Sequence, residues 1–185
     1  MNQDDLLERA KRWDMQALAE IYDRYSPALY AYAMRLLGDA GLAEDCVAES
    51  FSRLLNALKA GGGPQDHLQA YMYRIAHNWI TDQYRRQPPP PLSLDDEDCV
   101  PAENSPETIA SAHLQQEQVR AALQRLTPDQ RQVVMLKFVE GWGNPEIAAA
   151  ICKPVGAVKS LQHRALEALK RMLVVFEEQE YERLR

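Results

Sequence analysis

Apolar residues recur three and four positions apart along most of this chain, and no convincing alternating strand pattern interrupts them. That spacing predicts an all-α protein. Leu6, Leu7 and Ala10 begin a helix, and Ala17, Leu18, Ile21, Tyr22 and Tyr25 continue the helical spacing. Leu29, Tyr32, Ala33, Leu36 and Leu37 give a second stripe, ended by Gly38. Val47, Phe51, Leu54, Leu55 and Leu58 give a third, ended by Gly61-Gly62-Gly63-Pro64. A fourth runs from about Leu68 to Arg86 around Met72, Ile75, Trp79 and Ile80. Further on, Leu114, Val119, Leu123 and Leu126 share one helix face. Thr127-Pro128-Asp129 is a cap-and-proline start for the next helix, with Val133, Val134, Leu136 and Phe138 behind it.

Between the two helical parts the pattern stops. From Pro88 the chain reads four prolines and then an acidic, proline-containing stretch to about Pro106. Such a segment favours extended polyproline geometry and buries too little apolar surface to fold. The expected organisation is two small helical domains, 1–87 and 112–185, joined by a flexible Pro-rich acidic linker, 88–111. No sequence repeat relates the two halves.

The most informative stretch is Asn144 to Arg171. Asn144 reads as an N-cap, Pro145 as the first helical residue, and Glu146 as a first-turn carboxylate. A short helix then runs to Ile151, Cys152-Lys153-Pro154 breaks it, and Val155 starts a longer helix to about Val175. A short helix, a tight turn and a second helix form a helix-turn-helix. At about 100° per residue, Val158, Leu161, Ala165, Leu169 and Met172 fall on one side of the second helix. Lys159, Ser160, His163, Arg164, Lys170 and Arg171 fall on the other. The second set can meet phosphates and base edges; it can equally be a solvated helix surface.

The net charge of −6 at first disfavours a DNA ligand. Its distribution removes the difficulty. Residues 88–112 carry six acidic and no basic residues, whereas residues 153–176 carry five basic and one acidic. Local charge decides where DNA can sit.

A second constellation lies at 71–86, where aromatics interleave with Arg74, Arg85, Arg86, His77 and Asn78. Single-stranded nucleic acid is gripped by such mixtures, with rings under unstacked bases, cations on phosphates and amides on base edges. Ordinary amphipathic packing also accounts for Trp79, Ile75, Tyr73 and Tyr84. Cys46, Cys99 and Cys152 are odd in number and widely spaced, which fits a reduced compartment and offers no zinc-ligand spacing. No apolar run reaches a membrane-spanning length, and the N-terminus is not a signal peptide, so a cytoplasmic location is expected. Acidic clusters at Glu44-Asp45 and Asp95–Asp98 lack His or Cys partners at ligand spacing. Neither a catalytic site, a metal nor a cofactor is expected.

The two halves together resemble a family. Tyr71-Met-Tyr-Arg-Ile-Ala-His-Asn78 resembles the region-two signature of extracytoplasmic-function sigma factors of the sigma-seventy family, commonly Trp-Leu-Tyr-Arg-Ile-Ala-x-Asn. Ala43-Glu-Asp-Cys-Val-Ala-Glu-Ser-Phe51 is similar to that family's Ala-Glu-Asp-x-Val-Gln-Glu-x-Phe. Leu126-Thr-Pro-Asp-Gln-Arg-Gln-Val133, and Glu146-Ile-Ala with Pro154-Val-Gly-Ala-Val-Lys-Ser160, resemble its region four. The departures are Tyr71 for Trp, Ala48 for Gln, Cys152 for a turn Gly, and Leu161-Gln162 for Arg-Leu.

The resemblance implies a non-enzymatic initiation factor. It would bind core RNA polymerase, direct it to specific promoters and promote DNA melting. Region two would hold the polymerase clamp through Asp45, Glu49 and Arg53. It would capture the melted minus-ten element with Tyr73, His77 and Asn78, and its backbone with Arg85 and Arg86. Region four would read the minus-thirty-five element as duplex with Lys159, Ser160, His163 and Arg164. Implied partners are core RNA polymerase, promoter DNA as duplex and melted strand, and an anti-sigma factor, which the family often has. From the residues alone two other readings stay open: a regulator that binds a palindromic duplex without polymerase, and a helical adaptor.

Overall fold

The computed structural model describes residues 3–86 and 106–183, with side chains described over 5–86 and 116–173. Within them all regular structure is helical. Most of the expected linker, 88–105, lies outside the described residues, and its end, 106–111, falls within a helix.

The N-terminal half is built from α1 (Gln3–Lys11), α2 (Met15–Leu37), α3 (Ala40–Lys59) and α4 (Leu68–Arg86). The spacing alone hid the break between α1 and α2. The chain turns at Trp13, whose φ is 61°, and Asp14 caps α2 by accepting from the Gln16 and Ala17 N–H groups. Asp14 also accepts from Arg9 Nε at 2.8 Å, which fixes the corner. Conversely, α2 runs unbroken through Pro27, which faces solvent. The lost hydrogen bond is tolerated there because Ile21, Tyr25, Leu29 and Tyr32 are buried on the opposite side. Gly38, at φ 73°, ends α2 in the left-handed conformation that glycine adopts without strain. Asp39 then caps α3, accepting from the Leu42 N–H at 2.8 Å. Leu36, Leu54, Met72 and Ile80 meet in the common core.

The C-terminal half comprises α5 (Pro106–Arg125), α6 (Pro128–Val134), a π-helical segment (Met135–Val139), α7 (Asn144–Ile151) and α8 (Val155–Arg183). Thr127 and Gln130 close a reciprocal capping box at the start of α6. The π-helical segment rotates the residues that follow it. Val133, Val134 and Leu136 are buried as expected, but Phe138 is 57% exposed. An extra residue per turn shifts the phase of the apolar stripe, which a period of 3.6 does not anticipate. Three other residues placed on apolar stripes, Tyr22, Leu55 and Val119, are also exposed.

The two halves pack directly on one another. Helix α4 lies against α7, and α2 meets α5. Arg120 of α5 lies over Gly38, so close that a β-carbon there would strike its guanidinium. No described helix is long and apolar enough to cross a membrane.

Candidate nucleic-acid interface

The helix-turn-helix forms with one change at its start. Gly143, not Asn144, occupies the N-cap, and its N–H donates to Glu146 Oε2 at 2.6 Å. Asn144 becomes the first helical residue, and its side chain takes a different task. Its Oδ1 accepts from Gln162 Nε2 at 2.8 Å, tying α7 to α8. Cys152 ends α7 at φ 54°, in the left-handed region that glycine adopts without strain. A β-carbon in that conformation costs about 1 kcal/mol. The turn is held by the Lys153 N–H donating to the Ala148 carbonyl, and by Lys153 Nζ at 3.2 Å from Asp129.

Val158, Leu161 and Ala165 are buried with Ile147 and Ala150, which locks α8 onto α7. That packing turns Lys159, Ser160, His163 and Arg164 outward, and all four are exposed. Ser160 Oγ donates to its own helix at Gly156 O, and Arg164 Nε approaches Ser160 O at 3.3 Å. Backbone contacts of this kind hold the two side chains close to the helix while their remaining polar atoms face solvent.

On α4 the expected residues separate onto two faces. Met72, Ala76, Trp79 and Ile80 point into the N-terminal core. Asn78 and Arg85 are exposed on one side, with Arg85 Nη1 at 3.4 Å from Asp82, and Arg86 is exposed at the helix end. Tyr73 and His77, one turn apart, point at the C-terminal half and are 1% and 2% exposed. Tyr73 donates its hydroxyl to Glu140 Oε2 at 2.7 Å and meets the Trp142 ring edge-on at 4.9 Å. Glu140 also pairs with Arg35 of α2 at 3.2 Å.

His77 is hydrogen-bonded at both nitrogens. Nε2–H donates to the Pro128 carbonyl at 2.9 Å, which leaves Nδ1 to accept from the Tyr32 hydroxyl at 2.8 Å. Burial lowers its pKa to about 3, with the nearby Arg131 guanidinium acting in the same direction. The imidazole is therefore neutral at physiological pH and acts here through hydrogen bonds, not charge.

Asp45, Glu49 and Arg53 stand one turn apart on the outer side of α3, where Glu49 and Arg53 pair at 2.7 Å. Two neighbours went unremarked as surface residues in the sequence. Tyr22, half exposed, packs its ring on Phe51 at 4.8 Å, and Leu55 is exposed. Both sit on apolar stripes, so periodicity assigned them to the core. Cys46 is buried, and desolvation pushes its thiol up to about 12, which makes it inert as a nucleophile. Cys152 is exposed, with its sulfur 2.7 Å from Arg74 Nη1.

Comparison with known proteins agrees with this division into two parts. The model of sigma-70 region 2 matches residues 21–88, and that of sigma-70 region 4 matches residues 116–169. The SigL sigma factor of Mycobacterium tuberculosis is 30% identical over 151 residues, covering 81% of this chain and 85% of that protein. The EcfG sigma factor of Rhodopseudomonas palustris is 34% identical over 150 residues, covering 80% and 81%. The BldN sigma factor of Streptomyces coelicolor is 31% identical over 171 residues, which cover 91% of this chain but only 65% of that protein's length. Among solved structures, CnrH in complex with the cytosolic domain of CnrY has the same fold, with a TM-score of 0.69 at 23% identity, covering 93% of this chain and 97% of that one. The chain belongs to the extracytoplasmic-function sigma factors of RNA polymerase, the transcription initiation factors that direct polymerase to particular promoters.

Proposed function

We propose that this protein grips a promoter at two points while polymerase supplies the chemistry. The outer side of α3, with Asp45, Glu49 and Arg53, docks on the clamp helices of core RNA polymerase. Helix α4 takes the melted minus-ten strand: Asn78 reads a flipped base, Tyr73 and His77 flank it, and Arg85 and Arg86 hold phosphates. Helix α8 enters the minus-thirty-five major groove with Lys159, Ser160, His163 and Arg164. The observation that carries this reading is the outward face of α8. Four polar or basic side chains stand together there, opposite a sealed apolar face, on the second helix of a helix-turn-helix. The protein makes and breaks no covalent bond, needs no cofactor, and works in the cytoplasm where polymerase acts. An anti-sigma factor is a further partner; CnrH is paired with CnrY, and a Bartonella quintana sigma factor with NepR.

Asn78 gives the sharpest test of the α4 assignment because it is already exposed. Asn78→Ala removes one amide from a base edge, worth about 1 kcal/mol or several-fold in opening. Permanganate footprinting of the minus-ten thymines should fall by that factor, with core polymerase binding unchanged. Loss of polymerase binding would remove Asn78 from the DNA-reading set.

A further inference from the structure

Resting on the duplex-reading role proposed above for α8, we infer that Asn144 and Gln162 form a positioning pair: their hydrogen bond sets how α8 lies in the major groove, so upstream-element selectivity depends on it. Gln162 lies one turn beyond Lys159, about 60° around α8 from it, on the flank between the sealed apolar face and the outward one. Its Nε2 donates to Asn144 Oδ1 at 2.8 Å in a half-buried contact. Asn144 is available for this because Gly143 and Glu146 already cap α7. The neighbouring Leu161 is buried with Val158 and Ala165. Neither residue of the Leu161-Gln162 step therefore offers a charge to DNA, and Gln162 acts through the helix it ties down.

Apolar packing alone leaves the angle between two helices loose, with crossings scattered by about 15–20° around each preferred value. Ile147 and Ala150, buried with Val158, Leu161 and Ala165, supply attraction without direction. Polar ties at opposite ends of α7 add the direction. At its C-terminal end the Lys153 N–H donates to the Ala148 carbonyl, and Lys153 Nζ pairs with Asp129 at 3.2 Å. At its N-terminal end Asn144 holds Gln162. The first tie fixes where α8 begins. The second, about 12 Å away along α7, fixes where α8 points. Contacts to base edges need their donors placed within about 0.5 Å, and Lys159 and Arg164 stand on either side of Gln162 in the same helix. A change of tilt moves both against the bases at once, without removing any side chain that touches DNA.

The test uses the full chain with core polymerase on promoter fragments whose upstream element is randomised. Sequencing the transcripts gives the base preference at each position. Gln162→Leu removes the donor at similar volume, and Asn144→Ala removes the acceptor. Each should flatten the preferences at the positions that Lys159→Ala and Arg164→Ala identify, by about fivefold. The double variant should flatten them no further, since both single variants break the same bond. Asn144→Asp keeps the acceptor. Its added charge lowers affinity for all sequences alike, but the preferences should stay those of the wild type. Preferences that respond to Lys159→Ala and not to Gln162→Leu would overturn the pair alone. So would an Asn144→Asp variant flattened as far as Asn144→Ala, or single losses that add in the double variant. An equal loss on every sequence with preferences intact would assign the bond to stability only and overturn the pair as well. Should Gln162→Leu lose its helical circular dichroism, the comparison of Asn144→Asp with Asn144→Ala decides. A wild type without any fixed upstream preference would instead overturn the duplex-reading role of α8, and the pair with it.

Discussion

Replacing Arg131 with methionine should destabilise this protein by about 3 kcal/mol. Arg131 is buried, and its guanidinium closes the end of α5. Nε donates to the Leu123 carbonyl at 2.8 Å, and Nη2 donates to those of Gln124 and Leu126 at 2.8 and 3.0 Å. The last carbonyls of a helix have no partner within it, so a planar fork of donors serves them where water has little access. Burial holds the Arg131 pKa below its ordinary value, but a guanidinium stays charged, and the face of Tyr84 shields it. Methionine fills similar volume and removes the donor from the Gln124 and Leu126 carbonyls, while the Leu123 carbonyl keeps the Leu126 N–H at 3.2 Å; each lost bond costs about 1–3 kcal/mol before local water relieves some of the penalty. Chemical denaturation should show the loss, with Arg131→Lys intermediate because an ammonium cannot span three acceptors. A loss below about 1 kcal/mol would mean that solvent already serves those carbonyls.

Arg164→Ala should weaken upstream-element recognition by about 1–3 kcal/mol if the guanidinium pairs with a base edge. The side chain is exposed on the α8 face that the packing of Val158, Leu161 and Ala165 turns outward. Competition between promoter variants separates the two kinds of contact. A base contact relaxes discrimination at one position and leaves the others alone. A phosphate contact weakens binding uniformly and lowers the salt slope by about one. A variant indistinguishable from wild type by both measures would place Arg164 outside the groove.

How much of this could be read in the sequence depends on the range of each interaction. The helix-turn-helix, its turn at Cys152 and the outward set on α8 follow from local signals: a proline-led start, a break, and a stripe repeating every three or four residues. The phase error at Phe138 arose because a π-helical segment changes the repeat without any Gly or Pro to mark it. Asn144 was read as a cap from its residue type, yet Gly143 takes that position once Glu146 reaches back to it.

The covering of Tyr73 and His77 was the least legible. It depends on Glu140 and Trp142, more than sixty residues from Tyr73, and on Pro128, 51 residues from His77. No periodicity within α4 distinguishes a ring waiting for a base from one already packed on a tryptophan. The motif around residues 71–78 pointed to α4, where Tyr73 and His77 turn toward the C-terminal half and Asn78 toward solvent. The structure adds that Tyr73 and His77 are buried against the C-terminal half.

In vitro transcription with purified full-length protein, core RNA polymerase and genomic promoter fragments tests the two-point promoter grip most directly, with start sites mapped by sequencing. The expected result is initiation that requires both components and begins at a fixed distance downstream of shared upstream and minus-ten sequences. The contradicting result is no core-dependent initiation from any fragment, together with a shift of palindromic duplex by the protein alone.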